Sequence, residues 1–182
     1  MRLADKYRPR AFDAFVGQEK AIRNLSRILG RPDFDGDAFW VVGPSGVGKS
    51  CTARIIAQRF ARSEADIIEL DGEACTVDAV RRFAEYIRPA PLFRTVDPPW
   101  RVAIVNEAQA MTPKAVQAWL TLLDPLPRHV IVIFTTTDDS ADLFGQYEGP
   151  FRSRCKTVAF TNQGLAPLFA PSALGRLPSK RV

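Results

Sequence analysis

The residues with the clearest chemistry form one unbroken run, Gly43-Pro44-Ser45-Gly46-Val47-Gly48-Lys49-Ser50. Its spacing is G-x-x-x-x-G-K-[ST], and each residue type has a reason if the partner is a phosphate chain. Phosphate oxygens must be met by several backbone N–H groups at close range. Glycines let the chain curl and approach without a side-chain clash. A helix opening at Lys49 turns its positive end toward the anion. Lys49 supplies a charge for the β- and γ-phosphates, and Ser50 a hydroxyl for Mg²⁺. Cys51, next in that helical turn, belongs to the same expected nucleotide-binding set.

A second chemical segment is Arg101-Val102-Ala103-Ile104-Val105-Asn106-Glu107. An apolar run that ends on polar residues suits a strand that finishes beside the phosphates. In phosphate-loop ATPases an Asp at this place holds the hydration shell of Mg²⁺, and a following Glu polarises the attacking water as general base. Here the first position is Asn106, which keeps the shape and one acceptor oxygen but loses the charge. Magnesium, which favours carboxylates, should bind more weakly. Glu107 retains the role of base. The competing reading of Glu107 is a surface acid after a strand.

Both segments need elements to hold them. Gln18 to Leu29 repeats Ala21, Ile22, Leu25, Ile28 and Leu29 at helical spacing and stops at Gly30-Arg31-Pro32. Ala38 to Val42 is a short apolar strand that leads into the phosphate loop, and Lys49 to Ala61 follow as a helix. Ile67 to Leu70 form a second strand. Thr76 or Asp78 caps a helix that runs to about Ile87. Pro89, Pro91, Pro98 and Pro99 mark a loop. Arg101 to Val105 are a third strand, and Thr112 to Leu123 a helix with Pro113 in its first turn. Val130 to Thr136 are a fourth strand and Thr157 to Phe160 a fifth. Short apolar strands alternating with helices predict an α/β fold, a five-stranded parallel sheet with helices on both faces.

The 182 residues are enough for one domain with a sizeable core. No apolar run approaches the roughly 20 residues needed to span a bilayer, and Met1 to Lys6 lack a signal-peptide core. The expectation is a cytoplasmic protein with no membrane partner. Cys51, Cys75 and Cys155 are odd in number and form no C-x-x-C pair, which favours packing over a disulfide or a zinc site. The net charge of +5 is concentrated at the two ends. Basic ends suit a polyanionic partner or, more plainly, a solvated surface. His129, Trp40 and Trp119 read as structural, and Trp100 has no evident place.

Several blocks, in order along the chain, resemble the AAA+ core of DNA sliding-clamp loader subunits of bacterial gamma/tau, phage and replication factor C small-subunit type. They are Lys6-Tyr7-Arg8-Pro9 with Phe12, Phe15 and Val16-Gly17-Gln18-Glu19; the phosphate loop; Val105 to Met111; Ala115 to Leu123 with Asp124-Pro125; Ile133 to Thr137; and Ser153-Arg154-Cys155. The resemblance covers residues 4 to about 160. It implies that Tyr7, Arg8, Pro9, Val16 and Gly17 line the adenine pocket and that Thr137 reads the γ-phosphate as sensor 1. It implies that Arg154 reaches a neighbouring subunit's site as an arginine finger. Arg81, Arg82 and Arg88 fall where that family faces DNA. ATP and Mg²⁺ are the implied ligands. Other loader-type subunits, a sliding clamp and primer–template DNA are the implied partners.

The chain departs from that pattern at Asn106 and in a longer link from Asp139 to Arg152. It is expected to hold a nucleotide-binding domain over residues 1–163 and a basic, Pro-containing tail over 164–182, without the family's helical lid. Two other readings stand beside an ATPase that loads clamps. One is a catalytically weak subunit that binds nucleotide and donates Arg154. The other is a different DNA-associated AAA+ protein, such as a branch-migration motor, which shares the opening block, or a helicase loader.

Overall fold

The computed structural model describes residues 9, 11–15, 17–88, 100–137 and 149–162. The proline loop, most of the 139–152 link, the tail and the segment with Tyr7, Arg8 and Val16 lie outside the described residues. Five parallel strands, β1 (Gly36–Val42), β2 (Ile67–Asp71), β3 (Arg101–Asn106), β4 (Val130–Thr136) and β5 (Lys156–Ala159), form one sheet in the order β2-β3-β4-β1-β5. Among the described residues the helices α1 (Glu19–Leu29), α2 (Lys49–Phe60), α3 (Val77–Tyr86) and α4 (Pro113–Leu123) accompany it.

The strands are apolar along their length because both faces are covered. Every residue of β4 is buried. On one face Phe39, Val41, Val102, Ile104, Ile131 and Ile133 pack with Leu25 of α1 and Ile56 of α2. On the other, Trp40, Ala103, Val105, Val132 and Phe134 pack with Phe83 of α3 and Trp119 of α4. Alternate side chains of each strand thus serve opposite cores. Trp119 meets Phe134 edge-on with ring centroids 5.2 Å apart, and its indole N–H donates to Cys75 Sγ at 3.1 Å.

The helix starts follow from local chemistry. Thr76 Oγ1 accepts from Ala79 N at 3.2 Å, so Thr76 is the cap of α3 and Asp78 is not. Thr112 Oγ1 accepts from Ala115 N at 3.3 Å, with Pro113 at the first turn of α4.

Several boundaries and one burial differ from the sequence reading. β1 begins at Gly36, ahead of the apolar run, because Gly36 and Asp37 already pair in register with Val130 and Ile131. A Cβ at Gly36 would lie 2.5 Å from Val130 O, so only glycine permits that approach. β3 runs one residue further, to Asn106, which pairs with Asp71. β5 is Lys156–Ala159, and Phe160 N still donates to Val42 O at 2.8 Å. Cys75 and Cys155 are buried, and burial pushes the Cys155 thiol up to about 12, but Cys51 is only half-buried. Trp100 stacks on Phe34, with centroids 5.7 Å apart and planes 4° from parallel. None of the described helices is long and apolar enough to cross a membrane.

Candidate functional site

The site is assembled at the carboxyl ends of the central strands, where ligands of open parallel sheets bind. β1 delivers the chain into the loop Gly43 to Gly48, and Gly43 N donates to Thr136 O of β4 at 3.3 Å. Gly46 (φ 81°) and Gly48 (φ 99°) take left-handed conformations that other residues adopt at a cost. A Cβ on Gly48 would also fall 2.6 Å from the ring of Phe15. Val47 turns into the core and anchors the loop, whereas Ser45 and Gly46 are exposed.

Gly48 in its left-handed conformation starts α2, whose first residue is Lys49. The lysine is buried, and its ammonium donates to the carbonyls of Gly43 and Pro44, each at 2.8 Å. A cation is thereby fixed inside the loop, at the positive end of a helix of 12 residues. Ser50 and Cys51 follow, both half-buried in the first turn. Pro44 is half-buried as well, beside the lysine that its carbonyl holds. This is the constellation required for a nucleotide's phosphates.

β3, two strands from β1 in the sheet, ends at Asn106. Asn106 Nδ2 donates to Glu69 Oε1 at 2.8 Å, and Asn106 Oδ1 accepts from Thr135 Oγ1 at 3.3 Å. Glu69 also holds Arg54 of α2 at 2.7 Å. The acid bonded to Asn106 therefore sits on β2, tied to an arginine, while position 106 contributes a neutral amide. Ser50 and Asn106, the residues expected to hold Mg²⁺, are oxygen donors that suit the ion only weakly, because neither carries charge.

Glu107 lies one residue beyond the strand, exposed, in the left-handed region (φ 49°, ψ 52°). A non-glycine residue there bears about 1–2 kcal/mol of strain. The strain is held by neighbours: Glu107 N donates to Thr135 Oγ1 at 3.3 Å, and Ala110 N donates to Glu107 O at 2.9 Å. Gly72 makes room, since a Cβ there would lie 2.2 Å from Glu107 O. Gln109 Nε2 donates to Glu107 Oε2 at 2.5 Å and to Thr137 Oγ1 at 3.3 Å. Glu107 and Thr137 are thus brought together at the ends of β3 and β4. The sequence reading missed Thr135 and Gln109. Thr135 was signalled as one of the two hydroxyls that close an otherwise apolar strand, and Gln109 only by its place two residues after Glu107.

Of the expected adenine-pocket residues, Pro9 and Gly17 are described. Pro9 is half-buried, and Gly17 (φ 77°) donates its N–H to Glu19 Oε1 at 3.1 Å. Buried Gln18 ties this segment to the strand end after β5 through Thr161 O at 2.7 Å and Thr161 N at 3.3 Å. Arg154 lies far along the chain from the loop, on a short helical stretch over 149–154. Its Nε and Nη2 donate to the two carboxylate oxygens of Asp124 at 2.6 and 3.2 Å, and Nη1 to Pro150 O at 3.2 Å. The hydrogen bonds from Arg154 hold the Asp124 carboxyl below its ordinary range, and Asp124 raises the guanidinium in turn. Arg81, Arg82 and Arg88 are exposed, with Arg81 paired to Asp78 at 3.2 Å.

Comparison with known proteins agrees with this geometry. The chain is 31% identical over 162 residues to the DNA polymerase III subunit gamma/tau of Mycobacterium tuberculosis, an alignment that covers 76% of this chain and 27% of that protein. It is 29% identical over 160 residues to the replication factor C small subunit of Thermofilum pendens, covering 86% of this chain and 46% of that one. The chain therefore spans less than half the length of these relatives. Among solved structures, the Thermotoga maritima RuvB Holliday junction branch migration motor superposes with a TM-score of 0.64 at 19% identity, over 85% of this chain and 48% of that one. A DNA polymerase III gamma subunit-related protein of the same organism superposes with a TM-score of 0.56 at 20% identity, over 76% and 45%. Identities this low speak for the fold alone. The model of the ATPase family associated with various cellular activities matches residues 39–163, from β1 through β5. On that match, and on a buried lysine held inside a glycine loop at the ends of a parallel sheet, the chain belongs to the AAA family of ATPases.

Proposed function

We propose that this chain is an ATP-binding, ATP-hydrolysing subunit of a clamp-loader-like assembly that places a sliding clamp on primer–template DNA. The observation that carries the nucleotide part is Lys49, buried and bound to the loop carbonyls of Gly43 and Pro44. The clamp-loader part is supported by relatives named DNA polymerase III subunit gamma/tau and replication factor C small subunit. The RuvB likeness, at 19% identity, adds little weight to a branch-migration reading.

In this reading the loop N–H groups and Lys49 hold the phosphates, and Tyr7, Arg8, Pro9, Val16 and Gly17 enclose the base. Glu107 accepts the proton of the attacking water. Thr137 holds that water against the γ-phosphate. Ser50, with Asn106 beside it, would hold Mg²⁺, which would supply positive charge to the phosphate oxygens. Arg154 is a finger for the site of an adjacent subunit. Its bidentate pairing with Asp124 keeps the guanidinium on the surface, where a neighbour can meet it.

The second reading, a nucleotide-holding subunit that is catalytically weak, is favoured by one observation: Asn106 is neutral and its nitrogen is engaged with Glu69. Turnover of ATP with Mg²⁺, followed as a function of chain concentration, separates the two. Proposed finger action in trans gives a rate that rises more steeply than linearly, and Arg154→Ala returns it to the background. Saturable ATP binding without turnover at any concentration would instead support the weak subunit.

A further inference from the structure

We infer that Gln109 is a positioning residue that couples the acid at 107 to the hydroxyl at 137, so that the water between them is met by two groups set as one. The inference rests on the proposed roles of Glu107 and Thr137. Its basis is the geometry of one amide. Gln109 lies on the short 3₁₀ turn Ala108–Ala110 that follows β3 and is half-buried. Its Nε2 donates to Glu107 Oε2 at 2.5 Å and to Thr137 Oγ1 at 3.3 Å. The amide orientation is forced by chemistry, because an ionised carboxylate only accepts and the nitrogen is the only donor on the side chain.

The backbone explains why such a coupling is needed. Glu107 is exposed and sits in a left-handed conformation, with its N–H anchored on Thr135. That anchor fixes the peptide but leaves the long carboxylate arm to rotate. A charge-assisted hydrogen bond to the arm's end, made by a residue only two positions away, restricts it. The same amide reaches the end of β4, so the relative placement of residues 107 and 137 is set by one planar group. Misplacement of a reacting group by about an ångström can cost on the order of a hundredfold in rate.

The test uses Gln109→Leu, which keeps the size and removes the donor, and Thr137→Val, alone and together. ATP affinity, single-turnover hydrolysis and the side-chain amide resonances of Gln109 are measured on the whole chain. The expected result is affinity unchanged within about twofold and hydrolysis lowered roughly tenfold to a hundredfold in Gln109→Leu. The double variant should fall no further than the worse single one, since both substitutions break one unit. Full hydrolysis in Gln109→Leu, or losses that simply multiply, would overturn the coupling. If the wild-type chain hydrolyses no ATP, the proposed catalytic reading fails separately. The resonances then decide the coupling: they must move in both Glu107→Ala and Thr137→Val, and unmoved resonances overturn it.

Discussion

Asn106, proposed above to lie beside Mg²⁺, already donates its side-chain nitrogen to Glu69 Oε1 at 2.8 Å. Asn106→Asp would turn that donor into an acceptor facing an acceptor. Like charges at such a distance repel, while Mg²⁺ gains a charged partner. The expected outcome has two signs. Thermal stability falls without metal, and the Mg²⁺ concentration needed for half-maximal ATP binding drops severalfold. Melting curves with and without Mg²⁺, together with a Mg²⁺ titration, check both, and an unchanged Mg²⁺ midpoint would show that residue 106 lies away from the metal. The residues proposed to hold phosphate were legible in the sequence because the loop places them in one contiguous run. The supports of Glu107 were not. Thr135, Gln109 and Gly72 are separated from one another in the chain, and only the parallel alignment of β2, β3 and β4 brings them to one end of the sheet.

Elements were easier to read than contacts. Every β-strand and α-helix expected from the sequence appears, because a parallel sheet buried on both faces writes continuous apolar runs and the helices between them carry caps such as Thr76 and Thr112. The boundary errors fall where backbone pairing outruns the apolar pattern, as at Gly36 and Asp37, which pair with β4 although neither is hydrophobic. The pairing of α4 with the sheet rests heavily on one side chain. Trp119 is buried against Phe83 and Phe134 and donates to Cys75 Sγ. Trp119→Ala should cost ~3–5 kcal/mol. At this chain size that lowers the melting temperature by roughly 10 °C. A shift of only a degree or two in a melting curve would mean that the α4 face is far less tightly packed than these contacts require.

For the molecule as a whole, the sheet order β2-β3-β4-β1-β5 sets the phosphate loop, the β3 acid and the β4 hydroxyl side by side, and it leaves Arg154 on the surface, paired with Asp124. One chain thus carries the proposed phosphate site and, apart from it, an exposed guanidinium. The Asp124 carboxyl, held below its ordinary range, stays ionised at and above its unfolded value and loses the pairing only as pH falls through its lowered one. The pair is therefore intact at neutral pH. Whether the molecule uses Arg154 on a neighbour depends first on whether its own loop takes nucleotide, and the most direct measurement is equilibrium binding of ATP to the wild-type chain and to Lys49→Ala. Saturable binding that weakens by a hundredfold or more, on the order of 3 kcal/mol, in the variant is the predicted result. Equal binding by both proteins, or none by the wild type, would contradict a phosphate site built around Lys49.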